Sequence, residues 1–295
     1  MSFIRYPSLA RLGNKEVEGI EHGTSYVFPK LDGTNASIWL DGEKICYGSR
    51  NRELSEENDN AGFVAAMKGD DRIREFFHFH PRKRLYGEWL VPHSFTGYVE
   101  DAWKKFYVFD VYDDETRQFV PYDTYRPWVN TTLDYIPCFW KVNTITEEVA
   151  NRYSRECRFL LKQDANVGEG VVIKNYDWIN AYGRVTWAKL VTGEFKTENM
   201  KVFGPVVWDG VSEEERIVEL TVTTALVEKE YSKIVAENSG WSSAYIPRLL
   251  ETVFFCVVTE ELWTALKKRN FPTVNFKLLR SLCIAKVKQT KLDML

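Results

Sequence analysis

The sequence predicts an α+β protein, in which a large domain of antiparallel sheets with flanking helices is followed by a small all-helical domain. Short runs rich in Val, Ile, Tyr, Phe and Trp fill the first two thirds of the chain, as in antiparallel sheets. The composition shifts near Gly204-Pro205, and helical spacing follows. A chain of 295 residues, 44% of them hydrophobic, is long enough for two domains. We therefore predict domains at 1–204 and 205–295.

The composition limits the class of protein. The net charge is only −3, so a nucleic-acid-binding surface has to be a local patch. Five widely spaced cysteines without a C-x-x-C pattern indicate a reducing compartment and no structural zinc. The sequence has no signal-peptide pattern and no apolar run long enough to span a membrane. We expect a soluble cytoplasmic protein with no membrane partner.

The segment ASIWLDGEKICYGSR predicts a β-hairpin near the start of the chain. Asp41-Gly42 separates two runs of strand-forming residues, which is a strong signal for a two-residue turn. This hairpin places Lys30 just before its first strand and Arg50 at the end of the returning strand. The opening FIRYPSL carries aromatic and apolar residues that can pack on a sheet.

Later segments continue with strands and few helices. Residues 51–62 are polar and predict a loop, whereas 63–77 predict a helix that Gly69 interrupts. Asp113-Asp114 is expected to turn a second hairpin, and a further helix is predicted at 146–162. The remaining strands are predicted in the runs RLYGEWLV, KFYVFDVYDDETRQFVPY, EGVVIKNY and GRVTWAKLV.

The tail is predicted to be helical. Ser212 followed by Glu215 forms a capping-box pattern, and the helical spacing that it opens fades at Ser239-Gly240. Further helices are predicted around 244–269 and 274–288.

Lys30 lies in the run KLDGTN, between two strand-like segments. A K-x-D-G sequence by itself is equally well a surface lysine that enters an Asp-Gly turn. What favours an active lysine is the order of four further short motifs. They are YGEW at 86–89, FYVFD at 106–110, EGVVIK at 169–174 and WAK at 187–189.

A lysine that attacks phosphorus must be neutral, but a free lysine is mostly protonated at neutral pH. Nearby cations and desolvation lower the pKa of such an amine. Lys174, Lys189 and a bound Mg²⁺ would supply those cations if the strands bring them together. The same charges would compensate a triphosphate and the leaving pyrophosphate.

Other motif residues each have two interpretations. Glu88 and Glu169 stand beside glycines and can accept from ribose hydroxyls or hold Mg²⁺, or they can be exposed carboxylates. Arg50 can be a surface arginine, although its place at the end of the hairpin favours the site. Phe109 can pack in the core or stack on a purine ring.

In content and order these motifs resemble those of covalent nucleotidyltransferases. KLDGTN is similar to motif I, GSRN to the following arginine motif, YGEW to motif III, FYVFD to motif IIIa and EGVVIK to motif IV. FIRYPSL is also similar to the N-terminus of one branch. Over about residues 1–200 the chain is identified as a member of the ATP-dependent RNA ligases of the bacteriophage RNA ligase 2 type.

The resemblance implies a role for each matching residue. It implies that Lys30 is adenylylated, that Asn35 assists end joining and that Phe109 stacks on adenine. The remaining roles implied are ribose and substrate binding for Arg50 and Glu88, and metal binding for Glu169.

The last motif departs from the family pattern, which commonly has two lysines one residue apart. Here Lys189 is the one clear candidate, with Trp187 and Val191 on either side. The candidates to replace the second lysine are Lys174, Lys196 and Lys201.

Residues 262–292 are basic and contain no acid. Such a run is often a solvated face, but in an acidic protein it also suits an RNA backbone. Within it, Lys286 and Lys288 are predicted to contact RNA. The eight cations are Lys267, Lys268, Arg269, Lys277, Arg280, Lys286, Lys288 and Lys291.

A second weak pattern is the H-x-H of His78 and His80, with His93 nearby. It can bind a metal, but on an aromatic segment packing or surface histidines are the favoured interpretation.

The function predicted is ATP-dependent joining of RNA 3′-hydroxyl and 5′-phosphate ends by a monomer that uses ATP and Mg²⁺. The RNA substrate stays open among a nick, a splinted break and a single strand. The resemblance also suits a phage-encoded protein that acts in its host's cytoplasm. The alternatives are a DNA ligase or mRNA-capping guanylyltransferase, whose usual OB-fold the helical tail disfavours, and a non-catalytic nucleic-acid-binding relative.

Overall fold

A computed structural model describes six stretches of the chain, and the fold is the predicted α+β class. The chain divides into two compact units, residues 1–195 and 196–295. The boundary predicted at 204–205 lies outside the described residues and stays a prediction. The described stretches are 2–92, 97–165, 168–192, 211–238, 240–268 and 270–291.

The first unit contains two sheets. The strands are β1 (Ala10–Arg11), β2 (His22–Lys30), β3 (Thr34–Asp41), β4 (Lys44–Ser49), β5 (Glu53–Leu54), β6 (Lys83–Leu90), β7 (Lys105–Asp113), β8 (Gln118–Phe119), β9 (Trp140–Thr144), β10 (Gly170–Lys174) and β11 (Ala188–Val191). One sheet has the order β1-β11-β10-β2-β9 and the other β5-β4-β3-β6-β7-β8. Pairing is antiparallel except between β1 and β11, which are parallel. Neither β1 nor β9 was predicted from the sequence.

The predicted hairpin is confirmed by the pairing of β3 with β4. Asp41 pairs with Lys44, so the two turn residues are Gly42 and Glu43, one position later than predicted. Gly42 has a φ of 62°, which the turn requires and which glycine adopts without strain. The predicted loop at 51–62 is interrupted by the short strand β5, which pairs with β4.

The helices of the first unit are α1 (Phe63–Lys68), α2 (Asp71–Phe79), α3 (Tyr122–Asn130) and α4 (Glu147–Glu156). The break at Gly69 is confirmed, and the helix predicted at 146–162 is shorter than expected. Sequence rules missed α3 because Pro127 lies inside it.

Two hydrophobic clusters support the sheets. One surrounds the six-stranded sheet and also receives Tyr26 and Phe28 from β2. The other packs Val27 and Ala188 of the five-stranded sheet against α4. Because side chains alternate along a strand, β2 turns one face to each cluster. The face that carries Tyr26, Phe28 and Lys30 is called the site face below.

The described residues of the second unit form helices joined by short connections. The helices are α5 (Glu213–Thr221), α6 (Thr224–Glu237), α7 (Ile246–Cys256), a π-helical turn (Val257–Glu261), α8 (Leu262–Lys268) and α9 (Phe276–Thr290). The predicted capping box of Ser212 and Glu215 is confirmed. A break at Val222 and Thr223, where Thr223 caps α6, divides the first predicted helix into two.

Among the described residues, the helices are all too short or too polar to cross a membrane.

Candidate active site

The site is built around an ion pair between Lys30 and Glu169. Lys30 ends β2, and its register partner is Gly170, the first residue of β10. The Nζ of Lys30 donates to Oε2 of Glu169 at 2.7 Å. Their side chains are 18% and 5% exposed, so the amine is within reach of a ligand while the carboxylate is covered.

Gly170 permits this close approach of strands. It has a φ of 148°, and a Cβ at this position would lie 2.0 Å from the carbonyl oxygen of Leu190. A larger residue would push β10 and β11 apart. The glycine therefore holds Glu169 opposite the end of β2. It also means that the residue paired with Lys30 has no side chain.

The turn after Lys30 is held by two side chains. The backbone N–H of Asp32 donates to the hydroxyl of Tyr98 at 2.8 Å, and that of Gly33 donates to Oε1 of Glu88 at 3.0 Å. Burial, and then the negative charges of Asp32, Glu169 and Glu88, raise the pKa of Tyr98 well above its ordinary value. Several carboxylates thus converge on this turn.

Asn35 and Glu88 are register partners on β3 and β6. The Oδ1 atom of Asn35 is buried and has no hydrogen-bond partner within the described part of the chain. Arg50 follows β4, is exposed, and donates from Nη2 to Oγ of Ser8 at 3.4 Å. Asn35 and Glu88 are thus neighbours on adjacent strands. Arg50 instead contacts the N-terminal segment.

Phe109 occupies a β-bulge. Tyr86 pairs with Asp110 and Gly87 with Val108, so Phe109 is the extra residue of β7. A bulge redirects a side chain, and the half-buried Phe109 ring packs against both hydrophobic clusters. Its carbonyl, released from the ladder, accepts from Nζ of Lys174 at 2.7 Å.

Lys174 is not placed beside Lys30. It pairs with Tyr26, four residues along β10 from Gly170. Its Nζ donates to Oδ2 of Asp110 at 2.8 Å, and both side chains are almost fully buried. Burial lowers the pKa of Lys174 and the adjacent Asp110 opposes that shift. Lys174 therefore stabilises the bulge at Phe109 through its buried hydrogen bonds. It does not place a positive charge next to Lys30.

Lys189 lies on the site face. It is the register partner of Val172, which in turn pairs with Phe28. Val191 occupies the next site-face position, opposite Gly170, so an apolar residue and not a second lysine follows Lys189 on this face. The predicted substitutes Lys196 and Lys201 lie outside the described residues.

The carboxylates suit a magnesium ion that is held mainly by phosphates and water. The described residues contain no group of three or more His, Cys, Asp or Glu that could hold a metal. Mg²⁺ commonly binds through one or two carboxylates together with substrate phosphates. Glu169, and Glu88 beside the same turn, fit that requirement.

The remaining predicted residues belong to other elements of the chain. Lys286 donates to both carboxylate oxygens of Glu219, at 2.8 and 2.9 Å, while Lys288 is exposed. His80 stacks on Trp128 with ring centroids 4.6 Å apart, as the packing interpretation predicts. His93 lies outside the described residues.

The RNA ligase family model matches residues 24–191, more than half of the chain. The chain belongs to the RNA ligase family. The match runs from the third residue of β2 to the end of β11, and therefore contains every residue of the site except those of the N-terminal segment. A comparison with curated proteins found no match.

Solved structures of an RNA ligase from Naegleria gruberi share the fold of this family member. An apo mutant is 24% identical with a TM-score of 0.53, and mutants with ATP and Mn or with AMP and Mn are 22% and 23% identical, with TM-scores of 0.52 and 0.53. Each match covers 68% of this chain and 59% of the Naegleria chain. The chain thus corresponds to less than two thirds of those proteins.

Two supporting residues of this ligase-family site, Tyr98 and Asp110, were missed from the sequence. Tyr98 holds the turn after Lys30, and Asp110 accepts from Lys174, from the hydroxyl of Tyr6 and from that of Tyr176. Asp110 could have been found as the last residue of FYVFD. Tyr98 lies in no motif, and nothing in the sequence near it indicates its contact with Asp32.

Proposed function

We propose that the protein is an ATP-dependent RNA ligase that joins RNA ends through AMP bound to Lys30. One observation carries the proposal. The Nζ of Lys30 is held by Glu169 at 2.7 Å yet is partly exposed, and it lies on the same face as Lys189. A nucleophilic amine and an acceptor for its protons are thus in contact, and a cation for phosphate lies on the same sheet face.

In the first step, the amine of Lys30 attacks the α-phosphorus of ATP. An N–P bond forms, the bond from the α-phosphorus to the bridging oxygen breaks, and pyrophosphate leaves. The ammonium must lose one proton before it attacks and another as the N–P bond forms. The carboxylate of Glu169 accepts the hydrogen bond from Nζ, so it is placed to pass these protons to water in turn.

The adenine is proposed to stack on Phe109. A ring between two sheets, half-buried at a bulge, offers a face to a flat ligand. The buried pair of Lys174 and Asp110 keeps that bulge in position. Lys174 therefore contributes to nucleotide binding through Phe109.

In the later steps, an RNA 5′-phosphate oxygen attacks the phosphorus of lysyl-AMP and releases the amine of Lys30. The 3′-hydroxyl of the second RNA end then attacks the 5′-phosphate, and AMP leaves. Asn35 has a buried acceptor beside Glu88, and with Arg50 these residues are proposed to position the ends. A bound Mg²⁺ supplies Lewis-acid stabilisation of the phosphoryl charge, and Glu169 and Glu88 would hold it.

The helical unit is proposed to bind the RNA backbone. Three of its basic residues, Lys267, Lys277 and Lys288, are exposed and make no ion pair in the described part of the chain. By contrast, Lys286 and Lys291 pair with Glu219 and Glu228. The cations of the first group are therefore the better candidates for phosphate contacts.

Two assays test the proposal. The protein is incubated with Mg²⁺ and α-labelled ATP or GTP and then resolved under denaturing conditions. We expect a covalent label from ATP and none from GTP, since GTP labelling would indicate a capping enzyme. Sealing is then compared on nicked, splinted and single-stranded RNA and on matched DNA. RNA binding without an adduct would indicate a non-catalytic relative.

A further inference from the structure

A continuous helical run in the second unit has a buried face and an exposed face. Helix α7, the π-helical turn and α8 follow one another without a break over residues 246–268. The exposed face carries Phe255 and Trp263, which are 65% and 61% exposed. The opposite face packs into the core of this unit through Leu249, Val253, Val257 and Leu262. Two large aromatic residues therefore point away from the core that their own helix helps to form.

The π-helical turn aligns these two aromatic residues. In an uninterrupted α-helix, eight residues make about 2.2 turns, which would leave Trp263 about 80° around the axis from Phe255. The π turn at Val257–Glu261 takes up about one residue more than an α-turn, so the same eight residues come close to two full turns. Phe255 and Trp263 thus share one face, about 12 Å apart along the axis. Such turns are rare, and they frequently occur at functional sites.

A third exposed aromatic residue, Phe271, lies against Trp263 in a strained conformation. The centroids of the two rings are 5.2 Å apart, and Phe271 is 53% exposed. Asn270 and Phe271 have φ values of 58° and 54°, a left-handed conformation that bulky residues avoid. The N–H of Phe271 donates to the carbonyl of Leu266 at 2.9 Å and holds the turn against α8. Since both rings stay exposed, burial does not offset this strain, and strain of this kind clusters at ligand-binding sites.

The three residues Phe255, Trp263 and Phe271 are called the aromatic row below, and positive charge lies beside them. Lys267 follows Trp263 by one turn of α8 and is exposed. Residues 262–292 include eight Lys and Arg and no Asp or Glu. On α7 the carboxylate of Glu251 is paired with Arg280, and the two glutamates of the π turn are half-buried. A ligand on the row therefore meets aromatic faces and an excess of positive charge.

Single-stranded RNA has the matching chemistry. An unpaired base offers a flat face to an aromatic side chain, while its phosphate is attracted to lysine. In a paired duplex the bases are stacked on each other, and recognition uses the shape and the backbone instead. Aromatic residues are also common where proteins meet. A two-fold contact between copies of this chain, however, would bring the basic segment against itself, where like charges repel.

We propose that the aromatic row binds unpaired RNA bases by stacking, so that the helical unit prefers RNA with a single-stranded segment to a fully paired duplex. The inference rests on the proposed binding of RNA by this unit, and it names the form of RNA that is bound. Trp263 with Phe271 forms one platform, and Phe255 forms a second platform on the same face. Lys267 contacts the phosphate beside the first platform. Because every base has a flat face, this binding tolerates any base sequence.

The test compares two forms of one RNA strand. Binding to the protein is measured by fluorescence anisotropy with a labelled single strand and with the same strand fully paired in a blunt duplex, over a range of salt concentrations. The variants are Trp263→Ala, Trp263→Phe and Phe255→Ala. Phe79→Ala is the matched control, because Phe79 is a 68% exposed aromatic residue of α2 in the first unit. Circular dichroism and adduct formation with ATP show that each variant is folded.

For Trp263→Ala we expect affinity for the single strand to fall at least about fivefold, as for loss of one base–aromatic stack. The loss should be the same at every salt concentration, because stacking releases no counterions, and duplex binding should stay near wild type. Trp263→Phe should recover part of the loss, since it keeps a ring. Phe255→Ala should lose affinity in the same direction, and Phe79→Ala should match wild type.

Wild-type affinity for the single strand in Trp263→Ala would overturn the inference, and so would equal losses on the single strand and the duplex. Self-association of the wild-type protein that Trp263→Ala abolishes would also overturn it, because the row would then be a contact between copies of the chain. Wild-type binding of the duplex alone would overturn the inference and leave the proposed function in place. Failure of the wild-type protein to bind either RNA would overturn both.

Discussion

A lysine–carboxylate pair lies at each end of strand β10. The two pairs have nearly the same N–O distance but differ in how exposed their side chains are. At one end Lys30 meets Glu169 at 2.7 Å, and at the other Lys174 meets Asp110 at 2.8 Å. The Lys30 side chain is 18% exposed, whereas the Lys174 side chain is 2% exposed. One pair is open to a ligand and the other is enclosed.

The hydrogen bonds around each pair explain the difference. Asp110 also accepts from Tyr6 and Tyr176, and Lys174 also donates to the Phe109 carbonyl. These contacts satisfy a buried charge pair, which is otherwise costly. Within the described residues, Lys30 has its one hydrogen bond to Glu169. A lysine with a single partner at an open edge can exchange that partner for a phosphate, and Lys174 cannot.

The largest effect is expected at the open end. Lys30→Ala should abolish the covalent AMP adduct, because Lys174 is held too far away and too deeply to replace the nucleophile. Labelling with α-labelled ATP on a denaturing gel measures this. Lys44→Ala, an exposed lysine in β4, should label like wild type. A strong adduct in Lys30→Ala would remove the distinction between the two ends.

The enclosed end should show a loss of stability. Asp110→Ala leaves the buried Lys174 without its carboxylate, and breaking such a pair costs about 3–5 kcal/mol of unfolding free energy. Denaturant unfolding measures this. Lys174→Met keeps the volume and leaves Asp110 with its hydrogen bonds from Tyr6 and Tyr176, so it should cost less than Asp110→Ala. It should weaken ATP binding while a Lys30 adduct still forms. A stability for Asp110→Ala equal to that of wild type would contradict the structural role.

More residues of the open Lys30–Glu169 end could be predicted from the sequence than residues of the enclosed Lys174–Asp110 end. Lys30, Glu88 and Glu169 lie in short local motifs, and the hairpin that presents Lys30 has a local turn signal. The enclosed network depends on pairs far apart in sequence, such as Tyr6 with Asp110, which are 104 residues apart. No local pattern specifies which buried tyrosine meets which aspartate.

Short elements and overridden propensities account for the other misses. Strand β1 has two residues and no periodicity, so its pairing with β11 was not predicted. In α3 the burial of Tyr122, Tyr125 and Val129 outweighs the cost of Pro127. Tertiary packing determines both β1 and α3, and contacts between distant residues cannot be read from a short stretch of sequence.

A smaller effect is expected for Tyr98, which supports the turn at the open end. Tyr98→Phe removes the acceptor for the Asp32 N–H and should cost about 1 kcal/mol of unfolding free energy. Because the pKa of Tyr98 is raised in the folded state, its contribution is fully present below the ordinary tyrosine pKa of about 10 and is lost as pH rises above it. Unfolding of wild type and Tyr98→Phe at neutral and strongly alkaline pH measures this, and the variant should lose less stability. An equal alkaline loss would contradict the assignment.

The smallest effect is expected in the helical unit, where some lysines form ion pairs and others are exposed without one among the described residues. Replacing Lys267, Lys277 and Lys288 by alanine should weaken RNA binding and reduce its salt dependence, by a slope of about 0.7 for each lost phosphate contact on a single strand. Adduct formation should not change. Replacing the ion-paired Lys286 and Lys291 is the matched comparison and should alter the slope less. The reverse ranking would contradict the distinction.

The most direct test of Lys30 as the nucleophile is to map the lysine that carries AMP. The wild-type protein is incubated with ATP and Mg²⁺, digested, and analysed by mass spectrometry under conditions that preserve the acid-labile N–P bond. We expect AMP on the peptide that contains Lys30, with Lys174 unmodified. AMP on Lys174, or on any lysine other than Lys30, would contradict this assignment.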